Sequence, residues 1–219
     1  MEASKEHGTA LEPDRSALTD RIVHKEWALF QEVNNMGGRA DCQNSPKTFA
    51  IMRQSQFANW PSDALKFYER DLERAIEEGR NPLAEKYGYM MRRTHPAEFE
   101  GIRDQLPPIT LERESLVHAI VDMHVAWEAE CDRLYPHVRA TGRPLRSSED
   151  YRGTSFETYL EGELLTYGEK TLQALYRHVL EARDKGVNLA EKNLDSMVKA
   201  YGYPSVKALE EERAKKARS

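Results

Sequence analysis

From about residue 16 onward, apolar positions recur at intervals of three and four residues, and no segment keeps the two-residue alternation of a half-buried strand. The pattern predicts helix after helix. The first begins near Ser16 and stops at Gly37-Gly38. "NSPK" opens a second, with Asn44 or Ser45 as cap and Pro46 in the first turn, running to about Ala58 before Trp60-Pro61. Ser62 caps a third that ends at Gly79, Asn81-Pro82 opens a fourth, and His95-Pro96 breaks it and starts a short fifth. Thr110 caps a long helix over about 111–138. The stretch "ATGRPLRSSEDYRGT", 140–154, is the one long loop, of the kind that serves as a lid or stays mobile. A second long helix is predicted from Ser155 to Asp184, closed by Gly186. Asn188 with Glu191 opens the next, which stops at Gly202, and Ser205 caps a charged terminal helix. The fold class is all-α: a single compact domain of roughly eight helices packed as an irregular bundle. It divides into a disordered tail over 1–15, a helical domain over 16–204 and the terminal helix over 205–219. "GRNPLAEKYGYMM" and "GVNLAEKNLDSMV" share Gly, Asn and Leu-Ala-Glu-Lys in order. They read as repeated stop-and-cap chemistry rather than as a duplicated hairpin.

Helical phase raises a question about what lies on the apolar faces. Ile22, Leu29 and Val33 mark the buried stripe of the first helix, and Glu26 falls in its middle. Phe49, Met52 and Trp60 mark that of the second, which also carries Arg53 and Gln56. On the long helix His124, Glu128 and Cys131 share a face with Val117, Ile120 and Val121. On the next, Tyr167 and His178 share one with Leu160, Leu164 and Thr171, flanked by Glu157 and Glu163. A buried carboxylate needs a cation, a metal or a proton, and Arg53 can bind one through two parallel hydrogen bonds. One reading is an ion-pair network that fixes helix register. The other is a site, because polar groups from several helices converge on one interior.

As a site, the set divides by chemistry. Glu26, His124 and Glu128 are the candidate acid–base groups. Cys42 is a candidate nucleophile, since it precedes a helix N-terminus and His124 could serve as its base. Asn34, Gln43, Arg53, Gln56, Tyr159, Glu163 and Tyr167 are candidate substrate contacts, with Arg53 holding an anionic group. No metal is the primary expectation. The alternative is a mononuclear site on Glu26, His124 and Glu128, because the paired Glu-x-x-His segments of carboxylate-bridged di-iron bundles are missing. The expected activity is acid–base chemistry on a small carboxylate- or amine-bearing substrate, a lyase, isomerase or transferase step of the kind found in biosynthesis. No cofactor is indicated. The alternative is a non-catalytic helical module that binds a protein partner.

Composition narrows this further. Charged residues make up 32% and the net charge is −5, with no basic tract of the kind that holds nucleic acid. The two cysteines are too few for a disulfide scaffold, and no apolar run is long enough to span a membrane. A cytoplasmic protein with a small-molecule substrate, no nucleic acid and no membrane is expected.

The block "KEWALFQEVNNMGGRADCQNSPKTFAIMRQSQFANW" closely resembles the opening signature of the bacterial and fungal family filed as domain of unknown function 4125. "GRNPLAEKYGYMM", "SFETYLEGELLTYGEKTL" and "VKAYGY" are similar to its later signatures, so the resemblance runs from about Ile22 to Tyr203. It supports the helical reading and implies no settled activity. Some members look to be joined to a nucleotidyltransferase-like domain. The resemblance therefore implies a stand-alone version here, and under the alternative reading as a non-catalytic module such a protein is the partner it would bind.

Overall fold

The computed structural model describes residues 11–34, 39 and 41–218. The expected Gly37-Gly38 stop lies outside these. Among the described residues the regular structure is entirely helical. Eleven α-helices follow one another: α1 (Leu11–Gln31), α2 (Pro46–Ala58), α3 (Ser62–Glu77), α4 (Pro82–Thr94), α5 (Pro96–Ile102), α6 (Leu111–Leu134), α7 (Pro136–Arg139), α8 (Phe156–Leu164), α9 (Glu169–Asp184), α10 (Leu189–Ala200) and α11 (Val206–Lys216). No described helix is long and apolar enough to cross a membrane.

The helix starts follow from capping. Asn81, Thr110, Ser155, Asn188 and Ser205 each accept a hydrogen bond from a first-turn backbone N–H, which satisfies a donor that has no partner within the helix. Ser62 does not act this way: α3 starts one residue earlier than a Ser62 cap allows, with Pro61 at the N-cap. α3 and α9 end at Gly79 and Gly186, whose φ values of 67° and 65° are costly for any side chain with a Cβ.

Three elements differ from the sequence pattern. α1 begins at Leu11 rather than near Ser16. The helix expected over 111–138 breaks before Pro136, whose ring cannot continue the hydrogen-bond ladder. The helix expected from Ser155 to Asp184 is two helices. Arg113 Nη2 donates to the carbonyls of Leu165 and Tyr167 at the end of α8, at 2.6 and 2.9 Å. Asp71, from α3, accepts from the Gly168 N–H at 2.8 Å and the Thr171 hydroxyl at 2.6 Å at the start of α9. Both orphaned helix ends are thus satisfied by distant side chains.

The expected lid is a folded connection. Its 3₁₀ turn, Ser147–Arg152, is tied down by Asp150, which accepts from the Ser155 N–H and the Thr158 hydroxyl, each at 2.7 Å. Glu157 holds the Ser147 N–H at 2.8 Å. α11 docks on α7 through Glu210, which accepts from the His137 and Val138 N–H groups at 3.1 and 2.8 Å.

One main core gathers α1, α3, α6, α8 and α9 around Ile22, Leu65, Leu72, Ile120, Leu165 and Leu172, all at 0–1% exposure. A smaller cluster, Leu194, Val198, Val206 and Leu209, joins α10 to α11.

Candidate functional site

Four ionic side chains meet beside the main core. The Arg53 guanidinium binds the Glu26 carboxylate by two parallel bonds, Nε to Oε2 at 2.7 Å and Nη2 to Oε1 at 2.6 Å. Its Nη1 donates to Glu163 Oε1 at 2.8 Å and to Gln56 Oε1 at 2.7 Å. Lys86 Nζ donates to the other Glu163 oxygen at 2.7 Å. The hydroxyls of Tyr68 and Tyr167 complete the shell, donating to Glu26 at 2.6 Å and Glu163 at 2.7 Å. Glu26 is 0% exposed.

Two carboxylates and two cations leave this cluster neutral. Burial opposes the charge on Glu163, yet Arg53 and Lys86 hold its carboxyl well below the usual range. Burial likewise opposes the charge on Arg53, and Glu163 and Glu26 more than reverse it. Burial keeps both tyrosines protonated far above their usual value, helped by Glu26 and Glu163. Removing one member of such a set strands a buried charge, at a cost of about 3–5 kcal/mol.

A cleft of about 130 Å³ lies against the other side of Gln56 and Glu163, between α2, α6, α8, α9 and α10. Trp60, Leu160, Leu164, Leu175, Val179 and Leu189 give it apolar walls. Its polar wall is less well satisfied. Among the described residues four buried side-chain polar atoms have no hydrogen-bond partner, and two of them, His178 Nε2 and Asn193 Oδ1, line this cleft. The Asn59 backbone beside the His178 ring favours its protonated form, against the burial that lowers its pKa, and is the acceptor to which an Nδ1–H would donate. In the neutral ring Nε2 is then a bare acceptor.

His124 faces the same space, edge-on to Trp127, and burial, with His178 adding to it, lowers its pKa to about 4. Burial raises the pKa of Glu128, against the opposing pull of Arg139, which it meets at 2.6 Å.

The structure therefore splits the expected set. Glu26, Arg53, Gln56, Glu163 and Tyr167 come together as one network. His124 and Glu128 join Gln56, Glu163 and Tyr159 at the cleft. Tyr159 presents its ring to Lys86 Nζ at 3.5 Å and to the Arg143 guanidinium at 4.5 Å. Gln43 is elsewhere: its amide donates to the Phe30 and Val33 carbonyls at 2.8 and 3.0 Å, closing the end of α1. Asn34 is exposed just past that helix. Cys42 is exposed on the Asp41–Asn44 turn and is not part of the cleft wall, so the structure does not pair it with His124. Glu26, His124 and Glu128 do not form a ligand set either. Glu26 is bound to Arg53 and Tyr68 and Glu128 to Arg139, and among the described residues no three His, Cys, Asp or Glu side chains gather as metal ligands would.

Tyr68, Lys86, Arg139 and Asn193 were absent from the sequence expectation. Lys86 was within reach of it, because it shares a helical face with Pro82, Tyr89 and Met90. Arg139 was not. On an unbroken helix it would lie about 16 Å along the axis from Glu128, and the bend at Pro136 brings it back.

The model of a family described as "Protein of unknown function (DUF4125)" matches residues 16–211. No curated protein and no solved structure matches the chain.

Proposed function

The chain belongs to the DUF4125 family, whose description names no activity, and from its own geometry we propose that it is a small-molecule enzyme whose substrate occupies the cleft and presents an amine to its polar wall. The observation that carries this reading is the pair of unpartnered polar atoms, His178 Nε2 and Asn193 Oδ1, facing one cleft, and we read both as acceptors. Buried polar groups are nearly always satisfied, and one left bare costs about 1–3 kcal/mol. An amine donating to both removes that cost, while the substrate's apolar body rests on Trp60, Leu160 and Leu175.

The chemistry is proton transfer at Glu128. Its raised pKa brings it closer to neutrality, where a carboxyl both gives and takes a proton. His124 is a weaker base than its position suggested, because its pKa is about 4. It serves as a neutral hydrogen-bonding group.

The Glu26–Arg53–Glu163–Lys86 network is the rigid floor. Arg53 and Lys86 are fully committed to carboxylates, so the geometry favours an amine-bearing substrate over a carboxylate-bearing one.

Calorimetric titration with aniline and with benzoate tests the reading. The wild type binds aniline and not benzoate, and Asn193→Leu loses aniline binding by at least tenfold while keeping its melting temperature. Benzoate binding, or aniline binding that Asn193→Leu leaves unchanged, contradicts it.

A further inference from the structure

The helices repeat their packing. α1 lies on α2, α3 and α4 as α6 lies on α8, α9 and α10. α4 covers α8 as α10 covers α2, and α3 and α9 lie on each other. This is the pattern of two intertwined halves related by an approximate two-fold axis.

Register and hydrogen bonds agree with it. A shift of 107 residues carries Gly79 onto Gly186 and Asn81 onto Asn188, each pair matched in backbone conformation or cap. The same shift carries the buried Ala64, Leu65, Tyr68, Leu72 and Ala75 of α3 onto Thr171, Leu172, Leu175, Val179 and Ala182 of α9, all buried. For α1 and α6 the shift is 98, the nine extra residues falling in the connection before α8. Arg15 Nη2 then donates to the Ala58 and Trp60 carbonyls at the end of α2, at 3.3 and 2.6 Å. Arg113 Nη2 does the same to Leu165 and Tyr167 at the end of α8. The Asn81 amide donates to Leu29 O at 2.8 Å, and that of Asn188 to Trp127 O at 3.1 Å.

The same equivalence relates the ionic cluster to the cleft. Glu26 falls on His124, Arg53 on Leu160, Tyr68 on Leu175 and Lys86 on Asn193. Tyr167 falls on Trp60, and Gln56 and Glu163 exchange places. Every one of these counterparts lines the cleft. We infer that the chain is an internal duplication, that the cleft is the second half's counterpart of the ionic cluster, and that its ligand binds uncharged, with its donors where the first half places the Arg53 guanidinium and Lys86 ammonium.

The charge of the ligand follows from the exchange. Each ion of the first set is met in the second by a neutral side chain, Glu163 by Gln56, and Glu163 itself, which also lines the cleft, is already neutralised by Arg53 and Lys86. Glu128 is paired with Arg139. A charged ligand would lack a counter-charge in a desolvated site, whereas a neutral donor satisfies Asn193 Oδ1 and His178 Nε2. The size of the cleft suits a single substituted ring. This ligand class rests on the small-molecule reading above; the duplication does not.

Two measurements on the full chain separate them. The first is a double-mutant cycle of His124→Glu and Leu160→Arg, read by thermal melting. If the halves are equivalent, the new pair reproduces Glu26 and Arg53, and the double variant melts at least about 4 °C above both single variants, each of which buries a lone charge. A double variant that melts no higher than the worse single one overturns the equivalence. The second is titration at neutral pH with benzyl alcohol, which is uncharged, and benzylamine, which is an ammonium ion. The wild type binds the alcohol at least tenfold more tightly, and the double variant binds neither. Tighter binding of benzylamine overturns the uncharged ligand. Failure of both probes and of aniline refutes the small-molecule reading, while the melts still decide the duplication.

Discussion

At the scale of single residues, the chain handles buried polarity in two ways. In the ionic cluster every donor has an acceptor, and burial is offset by opposite charge. At the cleft His124 is held neutral by burial instead, which makes it a source of pH dependence. Its folded pKa of about 4 lies below the unfolded value near 6.5. Between these values the unfolded chain binds a proton that the folded chain refuses, so stability falls as the pH is lowered through that window. Glu128 acts in the opposite sense, since its raised pKa lets the folded state take up a proton first. Glu163, held well below the usual range, loses its contribution only under stronger acid. Replacing His124 with Gln should flatten the loss between pH 6.5 and 4, removing about 2 kcal/mol of it, as read by urea denaturation at a series of pH values. An unchanged slope would show that His124 titrates normally in the folded state. The sequence made it legible that Glu26, Arg53, Gln56, His124 and Glu128 point inward, because phase alone decides that. It did not reveal that Arg53 is committed to Glu26 and Glu163, since the three residues come from three separate helices. With that commitment hidden, the sequence reads Arg53 as free to hold a substrate's anionic group.

At the scale of elements, the break between α8 and α9 matters most, because it turns the Tyr167 hydroxyl onto Glu163 and places α9 beside the cleft. It was not legible locally. One glycine inside a helical pattern costs only about 1 kcal/mol and stops nothing by itself. The stop is made by Asp71 and Arg113, which are remote in sequence. A Cβ added at Gly168 would come within 2.7 Å of the Asp71 carboxylate carbon. Gly168→Ala should therefore destabilise the fold by about 2–3 kcal/mol. With Asp71→Ser in the same chain the combined loss should be clearly less than the sum of the two single losses, since the clash is then relieved. Strictly additive losses in denaturant titrations would mean that Gly168 and Asp71 do not meet. The caps at Asn81, Thr110, Ser155, Asn188 and Ser205 were readable because cap and helix are neighbours in the chain. The lid expected over 140–154 was misread for the converse reason: Asp150 and Glu157 look like solvated loop charges until the backbone N–H groups they hold are known.

At the scale of the whole molecule, the all-α class and the helix order were legible from periodicity, while the two-fold arrangement was nearly hidden. The shared Gly-x-Asn of the α3–α4 and α9–α10 turns is its visible trace. The Leu-Ala-Glu-Lys that follows is out of register by one residue, because Pro82 has its counterpart in Leu189, and so the likeness reads as coincidence. The two halves have diverged most where they matter for function. One closes its interior with its own arginine, lysine and tyrosine, and the other keeps a cleft with two bare acceptors. The measurement that tests this account most directly is the long-range proton–nitrogen NMR spectrum of the His178 ring at neutral pH, recorded with and without aniline. The account predicts a neutral ring protonated at Nδ1, with an Nε2 resonance that moves when aniline is added. A ring protonated at Nε2, or an Nε2 resonance unmoved at saturating aniline, would contradict it.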